Sequence, residues 1–284
     1  MIRIVYNNNT NEIQWMVRNE VPFLQFEKLQ QIPGVKHGFS TRHGGVSTGI
    51  YSSMNLSFTR GDDEATVQEN FTRICNAIGV SKEKVVCSKQ THTTNVLKVT
   101  EAYIGNGVLK ENVLEDIDGL VTDIPGVCLC TSYADCVPLY FVDPVKKVIG
   151  LSHSGWRGTV GKIGQVTIQK MVTEYGCCVT DIIAAVGPSI CQACYEVSAD
   201  VIEQFQRTFD KKHWEQLFYA THTDKYQLNL WEANKIILLE AGISKEHIAV
   251  TNVCTACNSD DLFSHRITNG ERGNLAAFLA LEEK

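Results

Sequence analysis

The chain has no apolar run approaching the roughly 20 residues that a membrane-spanning helix requires, so a membrane role is not expected. Its N-terminus, M-I-R-I-V-Y-N-N-N-T-N-E, lacks the apolar core of about 7–15 residues that follows the basic start of a secretory leader. Positive charge is not in surplus: 26 Lys and Arg face 32 Asp and Glu, for a net charge of −6. No Lys/Arg stripe is visible, which argues against nucleic acid as a partner. Any phosphate bound here should be small and held by one or two arginines. Proline is scarce, at 6 residues, and no Pro/Ser-rich linker, repeat or low-complexity stretch divides the chain. A single domain over residues 1–284 is therefore expected, long enough to bury about three quarters of its unfolded surface. Histidine is scarce as well, with 8 residues and no H-x-H pair. That disfavours multicopper centres, which gather many histidines.

Cysteine is plentiful. Eleven thiols, an odd number, in a chain without a leader read as reduced cysteines of a cytoplasmic protein. Nothing in the sequence calls for an obligatory protein partner.

Strand-like and helix-like periods alternate. Asp62, Asp63 and Glu64 suit a helix start, Val67, Phe71, Ile74 and Ile78 follow on one face, and Gly79 closes it. Residues 84–99 are β-branched and alternating, which predicts a strand with His92 in or beside it. Short strands are predicted at 118–123, 181–186 and 248–254. Helices are predicted over about 159–175, from a Ser198 cap onward, around 230–241, and from about Asn274 to the end. The pattern is α/β, with mixed sheets flanked by helices.

Cys136 and His153 each end a run that reads as a buried strand. A thiol and an imidazole on neighbouring strand ends can form a nucleophile–base pair or part of a metal site. Both schemes need a further group. His92, in K-Q-T-H-T, is the best candidate third ligand, and Asp135 is a base or positioning candidate. Two satisfied histidines and a buried structural cysteine are the plain alternative. After His153, H-S-G-W-R-G-T joins a strand to a helix. Gly155 and Gly158 allow close approach of a ligand, Arg157 offers a fork for phosphate, and Trp156 offers a ring face. A second glycine-rich loop, residues 37–49, presents Arg42, either as an anion contact or as part of a surface loop. Ser264, His265 and Arg266, with Arg272 further on, cluster near the end as candidate substrate groups or as a solvated loop. Cys191-x2-Cys194 and Cys254-x2-Cys257 could make a four-thiolate zinc site. Their separation of about 60 residues and their dissimilar surroundings favour free core or pocket-wall thiols instead.

In order, G-F-S-T-R-H-G-G-V-S, K-Q-T-H, D-G-L-V-T-D, A-D-C-V-P-L, H-S-G-W-R-G-T, V-G-P-S-I-C and C-T-A-C-N-S-D-D-L-F-S-H-R resemble the purine nucleoside phosphorylase family once labelled multicopper polyphenol oxidase or laccase-domain proteins. The resemblance covers about residues 35–284 and implies one catalytic domain of layered mixed sheets and helices. It implies a metal, usually zinc, on His92, Cys136 and His153. Copper belongs to the older label and is disfavoured. The implied substrates are purine nucleosides and inorganic phosphate: phosphorolysis of adenosine, inosine and methylthioadenosine, and deamination of adenosine. Arg42, Gly155, Trp156, Arg157, Gly158, Ser264 and Arg266 are the expected substrate or phosphate contacts, and Asp135 joins the three ligands as a catalytic candidate. Family members often carry a second arginine after Arg266. Here Ile267 stands there, which leaves that role missing or moved to Arg272. A cysteine hydrolase using Cys136 with His153 or His92, and a non-catalytic nucleoside-binding module, remain the rival readings. Metal analysis separates the first and turnover the second.

Overall fold

The structure, a computed structural model, describes residues 4–8 and 12–283. Residues 1–3 and 9–11, part of the N-terminal segment read above for a leader, lie outside the described residues. Strands are numbered in chain order. One six-stranded sheet contains β1 (Ile13–Arg18), β2 (Val21–Phe26), β3 (Val35–Ser40), β4 (Val85–Cys87), β7 (Cys128–Tyr133) and β15 (Leu275–Leu281). Their order is β1-β2-β3-β15-β7-β4, antiparallel except between β4 and β7. A second sheet of six contains β5 (Val96–Lys98), β6 (Gly119–Thr122), β8 (Val137–Asp143), β9 (Val148–Ser154), β10 (Ile183–Val186) and β14 (Ile248–Val250). Its order is β14-β10-β8-β9-β6-β5. A small antiparallel sheet joins β11 (Glu196–Ser198), β13 (Lys225–Leu228) and β12 (Phe218–His222).

The two large sheets face each other. Leu24, Phe39, Leu129, Leu275 and Leu279 of the first pack with Leu120, Tyr140, Ile149 and Leu151 of the second in one buried cluster. The outer face of the first sheet is covered by helix Glu64–Ile78, through Val67, Phe71, Ile74 and Ile78. The outer face of the second is covered by helices Ile163–Tyr175, Ala199–Thr208 and Leu230–Glu240. The fold is thus the layered α/β arrangement of mixed sheets that the sequence pattern predicts, and amphipathic stripes explain why helices lie outermost.

Four local expectations are corrected. The C-terminal stretch Leu-Ala-Ala-Phe-Leu-Ala-Leu is strand β15, not helix, and all seven residues are buried between β3 and β7. Leu and Ala favour helix locally, but a strand covered on both faces shows a continuous apolar run with no alternation to read. The expected helix over 159–175 is two pieces, Trp156–Val160 and Ile163–Tyr175, broken where Lys162 takes φ 56°. The expected strand over 84–99 is only β4 and β5, and a loop carries His92 between them. The strand expected to reach Cys254 stops at Val250.

His37 on β3 is 1% exposed, and its Nε2 accepts the Phe26 N–H at 2.8 Å. Burial holds its pKa down at about 3. The unfolded chain therefore takes up a proton near pH 6.5 that the folded chain refuses, so folding stability falls as pH drops from 6.5 towards 3. The expected slope reaches about 1.4 kcal/mol per pH unit. Denaturant unfolding at pH 7 and pH 5 should differ by roughly 2 kcal/mol more in the wild type than in His37→Gln. Equal differences in the two proteins would show that His37 does not carry the effect.

Candidate active site

β8 and β9 run antiparallel, with Pro138 opposite His153 and Val137 opposite Ser154. This register puts Cys136, just before β8, beside His153 near the end of β9. Cys136 therefore opens a strand where a strand end was expected, and Asp135 occupies the preceding turn with φ 83°. His92 arrives from the loop between β4 and β5, in the left-handed conformation at φ 66°. The ligand atoms of His92, Cys136 and His153 all lie within 4.8 Å of one another.

The loop is shaped by Asp118, whose role was not read from the sequence. Its side chain is fully buried just before β6 and accepts N–H groups from Thr91 (3.1 Å), His92 (3.1 Å) and Thr93 (2.9 Å). Three donors converging on one carboxylate replace the sheet pairing expected for this segment. The same carboxylate lies 2.8 Å from His153 Nδ1. An ionised carboxylate only accepts, so Nδ1 donates to Asp118, and Nε2 is the nitrogen turned to the centre of the cluster, able to ligate once its own proton is lost. Burial pushes Asp118 up, but the hydrogen bond from His153 and the backbone donors outweigh it and hold the carboxyl below its ordinary value. Burial pulls His153 down, whereas Cys136 and Asp118 together raise it to about 9. His92 is lowered by desolvation, then by His153 and Arg157. Two imidazoles and one thiolate, with one imidazole oriented by a buried carboxylate, match the donor set of a single catalytic metal with an open position.

Gly155 sits against this cluster. A Cβ there would lie 2.6 Å from His92 Nδ1 and 3.1 Å from Cys136 Sγ, although its backbone φ of −71° suits any residue. Gly155→Ala should therefore fold but displace His92, lowering turnover by on the order of 100-fold and weakening metal retention. Wild-type turnover and metal content in that variant would remove the steric role of Gly155.

The three ligands line a cleft of about 740 Å³. Asp135, Trp156 and Arg266 line it too, as do Arg60, Tyr133, Tyr195, His265 and Arg272. The Asp135 carboxylate accepts from Thr255 Oγ1 (2.6 Å), Ser264 Oγ (3.1 Å) and Arg266 N–H (2.7 Å). Ser264 is thus drawn to Asp135 and caps the short helix His265–Thr268 without lining the cleft. Arg266 donates to the carbonyls of Cys194 (3.3 Å) and Glu196 (2.9 Å), with its guanidinium over Tyr195 at 5.3 Å. Arg272 is 7% exposed, and its Nε has no partner. Burial, then the charge of Arg60, lowers Arg272 to about 10. Ile267 is 52% exposed, so Arg272 rather than residue 267 supplies the second arginine facing the cleft.

Arg42 is not brought here. Its guanidinium donates to the carbonyls of Ser52 and Ser259, both at 2.9 Å, and lies over Phe263 at 4.8 Å. Arg157 is exposed and stacked on Trp156 at 4.3 Å, and Gly158 is buried in the five-residue helix that begins there. The helix whose start was expected to hold an anion spans five residues, and neither Arg157 nor Gly158 lines the cleft. The arginines lining the cleft are instead Arg60, Arg266 and Arg272, and Lys89 lines it as well. Arg60, in S-F-T-R-G-D, sits in no periodic segment or motif that would mark it as a site residue.

The family described as "Multi-copper polyphenol oxidoreductase laccase" matches residues 36–282. The chain belongs to this family. A relative from Geobacillus stearothermophilus, named purine nucleoside phosphorylase YlmD, is 36% identical over 255 residues, covering 88% of this chain and 92% of the relative. A protein from an unknown prokaryotic organism, named adenosine deaminase RL5, is 34% identical over 248 residues, covering 86% and 94%. The crystal structure of YlmD from Geobacillus stearothermophilus superposes with a TM-score of 0.88 at 34% identity, over 95% of this chain and 99% of that one. These relatives are enzymes, and so is this family member. Among the described residues, two groups of three or more potential metal donors converge, and only the one described above includes histidine. No helix among the described residues is long and apolar enough to cross a membrane.

Proposed function

We propose that this enzyme phosphorolyses purine nucleosides, with adenosine, inosine and methylthioadenosine as substrates, and also deaminates adenosine. We take its metal to be zinc, on His92, Cys136 and His153. The observation that carries the reading is one cleft holding both the His–Cys–His cluster and three arginines. A nucleoside phosphorylase needs a place for a purine, a place for a phosphate dianion, and a polarising group between them. Two histidines and a cysteine are also the donors of blue copper sites, which add a weak axial ligand, most often methionine. Met54 and Met171 lie in cores on the outer faces of the two large sheets, Met16 packs at the first of these, and none lines the cleft. That favours zinc over copper.

Zinc, when bound, supplies Lewis acidity toward the reacting group. The protein does the rest. Asp118 holds His153 in one tautomer. Trp156 and Tyr195 offer ring faces for the base. Arg60 and Arg272, with Arg266 beside Tyr195, receive the phosphate. In phosphorolysis a phosphate oxygen bonds to C1′ as the C1′–N9 bond breaks, and the departing base takes up a proton. In deamination, water oxygen replaces the amino group at C6 and ammonia leaves. Asp135, engaged by three donors, ties Ser264 to the Arg266 backbone and so positions Arg266 at the cleft. The eleven free cysteines support a reducing, cytoplasmic setting.

Incubation with adenosine, with and without phosphate, followed by separation of adenine, inosine and hypoxanthine, tests the proposal. Phosphate-dependent adenine and phosphate-independent inosine are expected. Binding of nucleoside without any product would leave a binding module instead.

A further inference from the structure

The structure assigns a second metal site to Cys191, Cys194, Cys254 and Cys257: we propose that these four thiolates hold a structural zinc, separate from the His–Cys–His cluster. The sequence separation that weighed against such a site proves no obstacle. An isolated bridge pairs Ser189 with Cys254, and Ser189 and Thr255 exchange backbone hydrogen bonds with the opposing segment. This brings the two C-x2-C pairs together, with all four Sγ atoms within 4.8 Å of one another. Cys191 and Cys257 lie 3.9 Å apart at sulfur, and Cys194 and Cys257 3.5 Å. A tetrahedral zinc with Zn–S bonds of about 2.3 Å sets its sulfurs about 3.8 Å apart.

Free thiols packed in a core would account for closeness, but not for what surrounds them. Cys254 Sγ receives two backbone N–H groups, from Cys191 at 3.2 Å and from Cys257 at 3.4 Å. A neutral thiol is a weak acceptor, whereas a metal-bound thiolate carries charge that such donors stabilise. The burial is also graded: Cys191 and Cys254 are buried, Cys194 is half-buried and Cys257 is exposed. Such a gradient leaves a metal a path from solvent. On binding, each coordinated thiol releases its proton to solvent. Because no redox change occurs, no oxidant or reductant is required.

The position gives the site a purpose. It ties segment 187–195 to segment 251–258. The first carries Ile190 and Tyr195 into the cleft wall and offers the Cys194 carbonyl to Arg266. The second carries Thr255, which holds Asp135. A metal here would fix the wall of the cleft without touching substrate.

Full-length protein, purified without a metal-affinity tag, should contain two zinc ions per chain by elemental analysis. Cys257→Ser, at the exposed ligand, should contain one, and its unfolding midpoint should fall by roughly 5–10 °C. Cys136→Ala, which leaves all four thiols in place, should also retain one. Loaded with cobalt(II), that variant should show the thiolate charge-transfer and visible bands of a tetrahedral sulfur site. The cobalt measurement decides the matter even if Cys257→Ser does not fold. One zinc per chain in the wild type that is lost in Cys136→Ala, or a metal-free Cys136→Ala with no cobalt–thiolate spectrum, would overturn the site. So would recovery of these cysteines as disulfides from freshly prepared protein. The result stands apart from the nucleoside assay, since it counts metal and not product.

Discussion

Cys136→Ala is expected to lower both proposed adenosine reactions by at least about 1,000-fold and to remove the metal equivalent proposed for His92, Cys136 and His153. Two imidazoles alone leave a divalent ion with two protein ligands where three are usual for a catalytic zinc. The Lewis acidity at stake amounts to several kcal/mol, and about 1.4 kcal/mol corresponds to a factor of ten in rate. Because Cys136 is half-buried beside Gly155, the smaller side chain opens little space, and the fold should hold. Asp118→Asn provides the graded companion. Asn offers one carbonyl oxygen where the carboxylate accepts from three backbone N–H groups, Thr93 Oγ1 and His153. It would turn an amide donor toward some of them. Metal affinity should fall by about 10–100-fold, with a clear loss of stability. Near-wild-type phosphorolysis in Cys136→Ala would sink the metal-centred mechanism. A metal-free wild type that is active, and is inactivated by alkylation of Cys136, would turn the site into a nucleophile–base pair.

The layered α/β fold was legible because its helices advertise their buried stripes. Val67, Phe71, Ile74 and Ile78 appear at helical spacing, with a cap at Asp63 and a left-handed Gly79. What misled were segments whose local preference is overruled by partners far along the chain. Leu275–Leu281 reads as helix until β3 and β7 enclose it. His92 reads as part of a strand until the Asp118 carboxylate, 26 residues on, collects its backbone N–H. The same holds for the site. Cys136 and His153 were visible as strand-end residues, and ordered motifs identified His92 as their companion. Asp118 was hidden in the short strand D-G-L-V-T-D, since a buried carboxylate shaping a loop leaves no period. Arg42 differs in the opposite way: an arginine in a glycine-rich loop suits an anion contact or a plain surface loop, and its guanidinium is engaged by the carbonyls of Ser52 and Ser259. The paired C-x2-C motifs converge in space although about 60 residues separate them, because separation along the chain says little about separation in the fold once strands cross between.

Arg272→Gln is expected to separate the two reactions. It should lower kcat/KM for phosphate by about 100–1,000-fold and leave phosphate-independent deamination within several-fold of wild type. Arg272 is 7% exposed, with Nε unpartnered and with Arg60 near enough to lower its pKa. Asp135, the carboxylate whose charge acts on Arg272, already accepts three hydrogen bonds. Two guanidinium groups held in one cleft without a committed carboxylate are an arrangement that a dianion relieves. Each charge-assisted hydrogen bond lost to phosphate costs about 1.5–3 kcal/mol, and the loss of one or two gives the stated range. Water needs no such clamp, so deamination should persist. Arg60→Ala serves as the second arm, because the exposed Arg60 side chain can be removed with little packing cost. It should weaken phosphate use in the same direction, and inorganic phosphate should raise the unfolding temperature of the wild type more than that of either variant. A uniform fall in both reactions would place Arg272 in base or ribose binding. Unchanged phosphate dependence in both variants would move the phosphate site away from these arginines altogether.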